Sequence, residues 1–136
     1  MNAELPHELM HPFELHDGLL RAIHVDIGYV ELRCRSEKGA DIVISIKGLA
    51  RFRATEFLEG NTIHRVSIYS GVQCPPGLIP YVFQMENRLG HSALTQAEAS
   101  VLAGESVVLE LEPAYGCYLV ALAVGGMSCI NIQRHG

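Results

Sequence analysis

The chain has 136 residues, of which 49% are apolar and 18% charged, so it is the size of one domain and can bury a core without disulfide or metal staples. Its formal net charge of -5, with lysine only at positions 38 and 47, lacks the clustered cations that nucleic-acid phosphates require. The longest apolar run, residues 119–124, falls far short of the ~20 residues of a membrane-spanning helix. A cytoplasmic protein that binds neither nucleic acid nor membrane is expected.

Residues 1–18 carry three of the seven histidines together with Pro6 and Pro12, and residues 1–12 read as an extended lead-in to a single β-rich domain spanning 1–136. The segment contains His7-Glu8-Leu9-Met10-His11, the pattern with which zinc proteases present two imidazoles one helical turn apart. The flanking prolines oppose that reading, because His11 precedes Pro12 and is pushed out of the helical region. His16-Asp17-Gly18 reads as a turn before the first strand at 19–25.

Residues 29–69 alternate between apolar and polar with the period of two that a half-buried strand requires. Val30, Leu32 and Cys34 share one face of a strand; Ile42, Ile44 and Ile46 share a face of the next. Between them, residues 37–41 have the chemistry of a hairpin loop, with Gly39 able to adopt positive φ. Gly48 marks a bend where the strand changes sheet. The uneven spacing of Ile63, Val66 and Ile68 in the strand over 62–69 signals a bulge.

A loop with Gly71, Pro75, Pro76 and Gly77 crosses to the second half, where residues 78–85 read as a strand weakened by Pro80. Thr95-Gln96-Ala97-Glu98 has a capping-box pattern and predicts one short helix near 95–103, stopped by Gly104. Residues 106–112 alternate cleanly. Residues 117–124 are apolar on both sides, as in a strand buried on both faces, and Gly125-Gly126 turns them into 127–133. The fold class is therefore all-β with one short helix, an antiparallel β-sandwich or flattened barrel. Its expected core is Val30, Leu32, Ile42, Ile44, Ile46, Val107, Leu109, Leu111, Leu119, Leu122 and Ile130.

The catalytic signals are sparse. Cys34, Cys74, Cys117 and Cys129 form no Cys-x-x-Cys pair, and Cys34, Cys117 and Cys129 read as core residues in a reducing compartment. Arg33, Arg35, Arg51 and Arg53 read as a solvated sheet face. No cofactor is indicated and no catalytic residue is assigned. His24 and His64, facing each other across a sheet beside His16 and Asp17, are the candidate metal ligands of an alternative reading, a metal-assisted hydrolase. Glu112 and Tyr115, in the rim loop Glu112-Pro113-Ala114-Tyr115-Gly116, are candidate binding residues. Tyr29, Val43, Tyr69 and Val108 fall on the faces assigned to solvent, where a shared apolar patch would support a homodimer.

The opening His16-Asp17-Gly18-Leu19-Leu20 with Ile23, then Gly60-Asn61-Thr62-Ile63 and later Leu111-Glu112-Pro113-Ala114-Tyr115-Gly116, resembles small bacterial β-rich domains that begin with a His-Asp-x-x-Leu element. Some such acidic domains are similar to immunity proteins that neutralise toxins of neighbouring bacteria. The resemblance implies a non-catalytic binding domain with a protein partner.

Overall fold

The computed structural model describes residues 7–8, 15–83 and 91–135. The strands are β1 (His7–Glu8), β2 (Leu19–Asp26), β3 (Tyr29–Arg35), β4 (Asp41–Lys47), β5 (Leu49–Thr55), β6 (Asn61–Tyr69), β7 (Ser106–Tyr115), β8 (Tyr118–Val124) and β9 (Ile130–His135). Two α-helices, α1 (Leu78–Phe83) and α2 (His91–Leu102), separate β6 from β7. The strands pair antiparallel in the order β5-β8-β7-β6-β2-β3-β4-β9, with β1 added to β6. The protein is β-dominated.

The sheet is not closed into a barrel. It folds over into two four-stranded halves, β2-β3-β4-β9 and β6-β7-β8-β5, whose ladder meets, among the described residues, at the short β2–β6 seam of Leu19↔Thr62 and Leu20↔Asn61. Val30, Leu32, Ile42, Ile44 and Ile46 of one half pack with Ile63, Val107, Leu109, Leu111 and Leu119 of the other in one cluster, all at most 1% exposed. Alternation puts these side chains on the inner face of each strand, so the expected core is largely the observed one, except that Leu122 is buried in a second cluster on the outer face. Ile130 is partly buried at the margin of the first.

The bend at Gly48 moves the chain from β4 in one half directly into β5 of the other. Gly48 has φ +66, and a Cβ there would lie 2.6 Å from the Val124 carbonyl, so the crossing requires glycine twice over. Val124 in turn donates its amide to the Gly48 carbonyl at 2.9 Å, tying the two passages together. Past Gly125-Gly126 the chain does not form a hairpin with β8. It crosses back through a 3-10 turn at Met127–Cys129 and lays β9 against β4. The bulge expected in β6 occurs on either side of Ile63.

Residues 78–83 form a helix, not the expected strand. Pro80 stands in its first turn, where the amide has no intrahelical acceptor to lose. Leu78, Ile79, Val82 and Phe83 are buried, the spacing of one helical face. The helix predicted near 95–103 is α2, which begins four residues earlier and ends in a Schellman motif, with Glu105 donating to Ser100 O and Gly104 to Val101 O. Leu94, Ala97 and Val101 of α2 join α1 over Val108, Val120 and Leu122, a second core on the outer face of β7 and β8. This layer explains why β8 is apolar on both sides. It also corrects the placement of Tyr69 and Val108 on solvent: Val108 is fully buried beneath the helices and Tyr69 packs against the same cluster.

Candidate functional site

Among the described residues, the helices cover one half of the sheet only. The outer face of β2-β3-β4-β9 is left as an open basin of about 780 Å³. The ladder registers put Glu31, Ser45 and Asn131 in one row across it, Arg33, Val43 and Gln133 in the next, and Arg35, Asp41 and His135 in a third. Tyr29 donates its hydroxyl to Glu31 at 2.9 Å and lies 3.3 Å from the Ser45 hydroxyl, and Arg33 meets Glu31 at 2.7 Å. The Tyr29 hydroxyl, helped by Arg33, holds the Glu31 carboxyl below its ordinary range. Arg35 pairs with Asp41 at 3.1 Å. Arg21, placed on the face by a bulge in β2, and Lys47 form no ion pair among the described residues. Four cations therefore face two carboxylates here, in a chain whose overall charge is negative.

Of the residues singled out in the sequence, Tyr29, Arg33, Arg35 and Val43 line this face and most of the others lie elsewhere. Arg33 and Arg35 belong to this solvated face as expected, whereas Arg51 and Arg53 on β5 lie under α1, over the rings of Phe83 and Tyr81 at 4.7 and 4.1 Å. His16 and His64 come together, rings edge to face at 5.4 Å, with His16 Nδ1 3.0 Å from the His64 carbonyl and Nε2 3.7 Å from Asp17. His24 does not join them. It stands opposite Glu31 on the β3 side of β2, because β2 meets β6 only at Leu19 and Leu20. No group of three or more histidine, cysteine, aspartate or glutamate side chains suited to a metal occurs among the described residues. Residues His7 and Glu8 are extended against Ile68 and Ser67, not in a first helical turn, and His11 lies outside the described residues. Glu112 is engaged by Arg65 through both oxygens at 3.0–3.3 Å, and Tyr115 is half exposed opposite Thr62.

Sequence reasoning missed a polar cluster at the lip of the helical layer. Glu110, only 9% exposed, accepts the Tyr118 hydroxyl at 2.7 Å and the Tyr69 hydroxyl at 3.4 Å. Burial, and then the Glu110 carboxylate, push the pKa of both tyrosines above the ordinary phenol value and the Cys74 thiol up to about 11. The signal was Glu110 among the apolar residues 107–111 of β7, legible only once the outer face is known to be covered.

The Cys34 thiol, 3% exposed, is pushed up to about 12 by burial, and Cys117 is fully buried. Both are core residues, as expected, and Cys129 packs at the core margin with its thiol 3.1 Å from the Val124 carbonyl. All four cysteines are free. No helix among the described residues is long and apolar enough to cross a membrane. No protein family matches this chain, and no curated protein or solved structure matches it either.

Proposed function

We propose that the protein is a non-catalytic binding domain whose partner is a protein, in keeping with its resemblance to immunity-type domains, and that the partner docks on the open face of β2-β3-β4-β9. The uncovered basin carries this reading. It spreads over four strands and is open to solvent, which suits a protein surface better than the concave pocket that encloses a small ligand. Tyr29 and Val43, half-buried in the face, supply apolar contact inside a ring of hydrogen-bonding groups, the usual anatomy of an interface. The excess of cations selects a partner patch that carries carboxylates.

A photo-crosslinker at Val43, with one at Glu98 on the far side of α2 as control, tests the reading. The expected result is one discrete adduct from Val43 alone, whose purified protein then binds with an affinity reduced at least about tenfold by Arg33→Glu. Adducts of equal yield from both positions, or none from Val43, would overturn it.

A further inference from the structure

The two ends of the sheet are unlike. At β5 the register is broken by a bulge between Leu49 and Arg51, α1 packs alongside, and Arg53 donates to the Tyr81 carbonyl at 2.9 Å. These are the devices that blunt an edge strand. At the other end β9 pairs with β4 through six consecutive residues, Ile130↔Ile46 to His135↔Asp41, with no register shift. Its sequence, Ile-Asn-Ile-Gln-Arg-His, has no proline, no lysine and no carboxylate. Its one charge is Arg134, and with no bulge, proline or covering helix among the described residues such a regular β-prone strand is a template for another.

The direction of its backbone groups follows from the hairpin before it. Ser36 donates to the Ala40 carbonyl at 2.8 Å, which makes Cys34↔Ile42, Leu32↔Ile44 and Val30↔Ile46 the hydrogen-bonded pairs of β3 and β4. Asp41, Val43 and Ser45 then turn their amides and carbonyls to β9, where they meet His135, Gln133 and Asn131. The amide and carbonyl of Ile132 point the other way, off the edge of the sheet. The Ile130 carbonyl does the same, while its amide turns back to Met127.

We infer that β9 is the self-association surface of this protein, pairing antiparallel with β9 of a second copy about a twofold axis at Ile132. Alternation allows only registers that set residues of the same face opposite each other. With the axis at Ile132, the two Ile132 residues exchange both backbone hydrogen bonds, Asn131 faces Gln133 of the second copy, and Ile130 faces Arg134 of the second copy. Their side chains fit. The half-buried Ile132 side chains cover one another at the margin of the two cores, the amides of Asn131 and Gln133 can bond to each other, and no charge opposes its like. An axis one residue later, at Gln133, would set Ile132 against Arg134 and leave the isoleucines apart. A head-to-tail contact would need β5, whose register a bulge interrupts and whose outer face α1 overlies, so the closed isologous pair is the solution favoured. The two open faces then lie on the same side of one continuous sheet.

Sedimentation at micromolar concentration reads the outcome directly. A species at twice the 14.9 kDa chain mass is expected. Ile132→Pro should convert it to monomer while keeping its far-UV circular dichroism, because the amide removed faces away from β4. As a measurement that leaves Ile132 untouched, Asn131→Cys combined with Gln133→Cys should join two copies through 131–133 linkages on mild oxidation. Asn131→Cys combined with His135→Cys, in a Cys129→Ser background because this register sets position 135 opposite residue 129 of the second copy, should not. A single species at 14.9 kDa throughout, or a dimer that survives Ile132→Pro and forms no 131–133 linkage, would overturn the inference.

Discussion

The side-chain oxygen of Asn61 accepts the backbone amide of Cys117 at 3.1 Å, joining the first residue of β6 to the turn that opens β8. The same oxygen accepts from Leu58 N at 2.8 Å, and the side-chain nitrogen donates to the carbonyls of Leu58 at 2.8 Å and Leu20 at 3.5 Å. One amide, 3% exposed, therefore fixes a loop, the seam between the halves and a strand start. Gly116 completes the arrangement: with φ +90, its missing Cβ leaves the space that Asn61 occupies, 2.5 Å from where that carbon would stand.

Asn61→Ala leaves buried amides and carbonyls without partners and should cost about 2 to 3 kcal/mol in chemical denaturation. Gly116→Ala, strained in φ and pressed on Asn61, should cost about 1 to 3 kcal/mol. Since both changes disturb one network, the double variant should lose less than the sum of the two. Strict additivity would show that they act independently.

Leu109 lies at 1% exposure between the two halves of the sheet. Leu109→Ala should destabilise the fold by roughly 2 to 5 kcal/mol through lost transfer energy and the cavity left behind. A loss below about 1 kcal/mol would mean that the site collapses or that the inner face is assigned wrongly.

The Tyr118 hydroxyl titrates above its ordinary value of 10.0 because burial and the neighbouring Glu110 disfavour the phenolate, and Tyr69 is raised for the same reasons. A raised folded value stabilises the fold fully below the unfolded value, and that contribution is lost as pH climbs past it through the folded one. Stability should thus fall as pH rises beyond about 10. Tyr118→Phe should flatten that alkaline slope, and an unchanged slope would remove Tyr118 as its source.

Cys34, held near 12 by burial, should resist alkylation at neutral pH in the folded protein and react readily once unfolded. Mass spectrometry of the modified peptides measures the contrast. Rapid labelling of Cys34 under native conditions would show that the sheet opens far more often than its packing implies.

Removal of residues 1–12 should leave a cooperative unfolding transition, since the core cluster begins, among the described residues, at Leu15 and β1 contributes a two-residue ladder to β6. Loss of the near-UV signal on truncation would show that the lead-in is integral to the fold.

The inner faces were legible in the sequence because each strand keeps strict alternation over several residues, and Val30 through Ile46 follow it without interruption. Gly48 and the two-sided pattern of β8 were legible too, each for a reason visible locally. The partner of a strand is not a local property. Nothing in residues 127–133 says that they return to β4, and nothing in residues 78–83 distinguishes a helix with proline in its first turn from a weak strand rich in aromatic and β-branched residues. Misreading that one segment removed the cover from Tyr69 and Val108 and hid the role of Glu110. The histidines shared the difficulty: His16 and His64 meet and His24 stands apart because of how far β2 follows β6, which is a matter of register.

The long return of β9 to β4 also bears on how the molecule assembles. The hairpins β2–β3, β3–β4 and β7–β8 join neighbours along the chain and can form early, whereas β9 must find β4 after every other strand has been placed. Such distant pairings carry the largest loop-closure entropy and come late. Until then β4 is itself an open edge, with Ile42, Ile44 and Ile46 beside it. The interval before β9 docks is therefore when this chain is most exposed to aggregation, and a faster final docking step would protect it more than a tighter core.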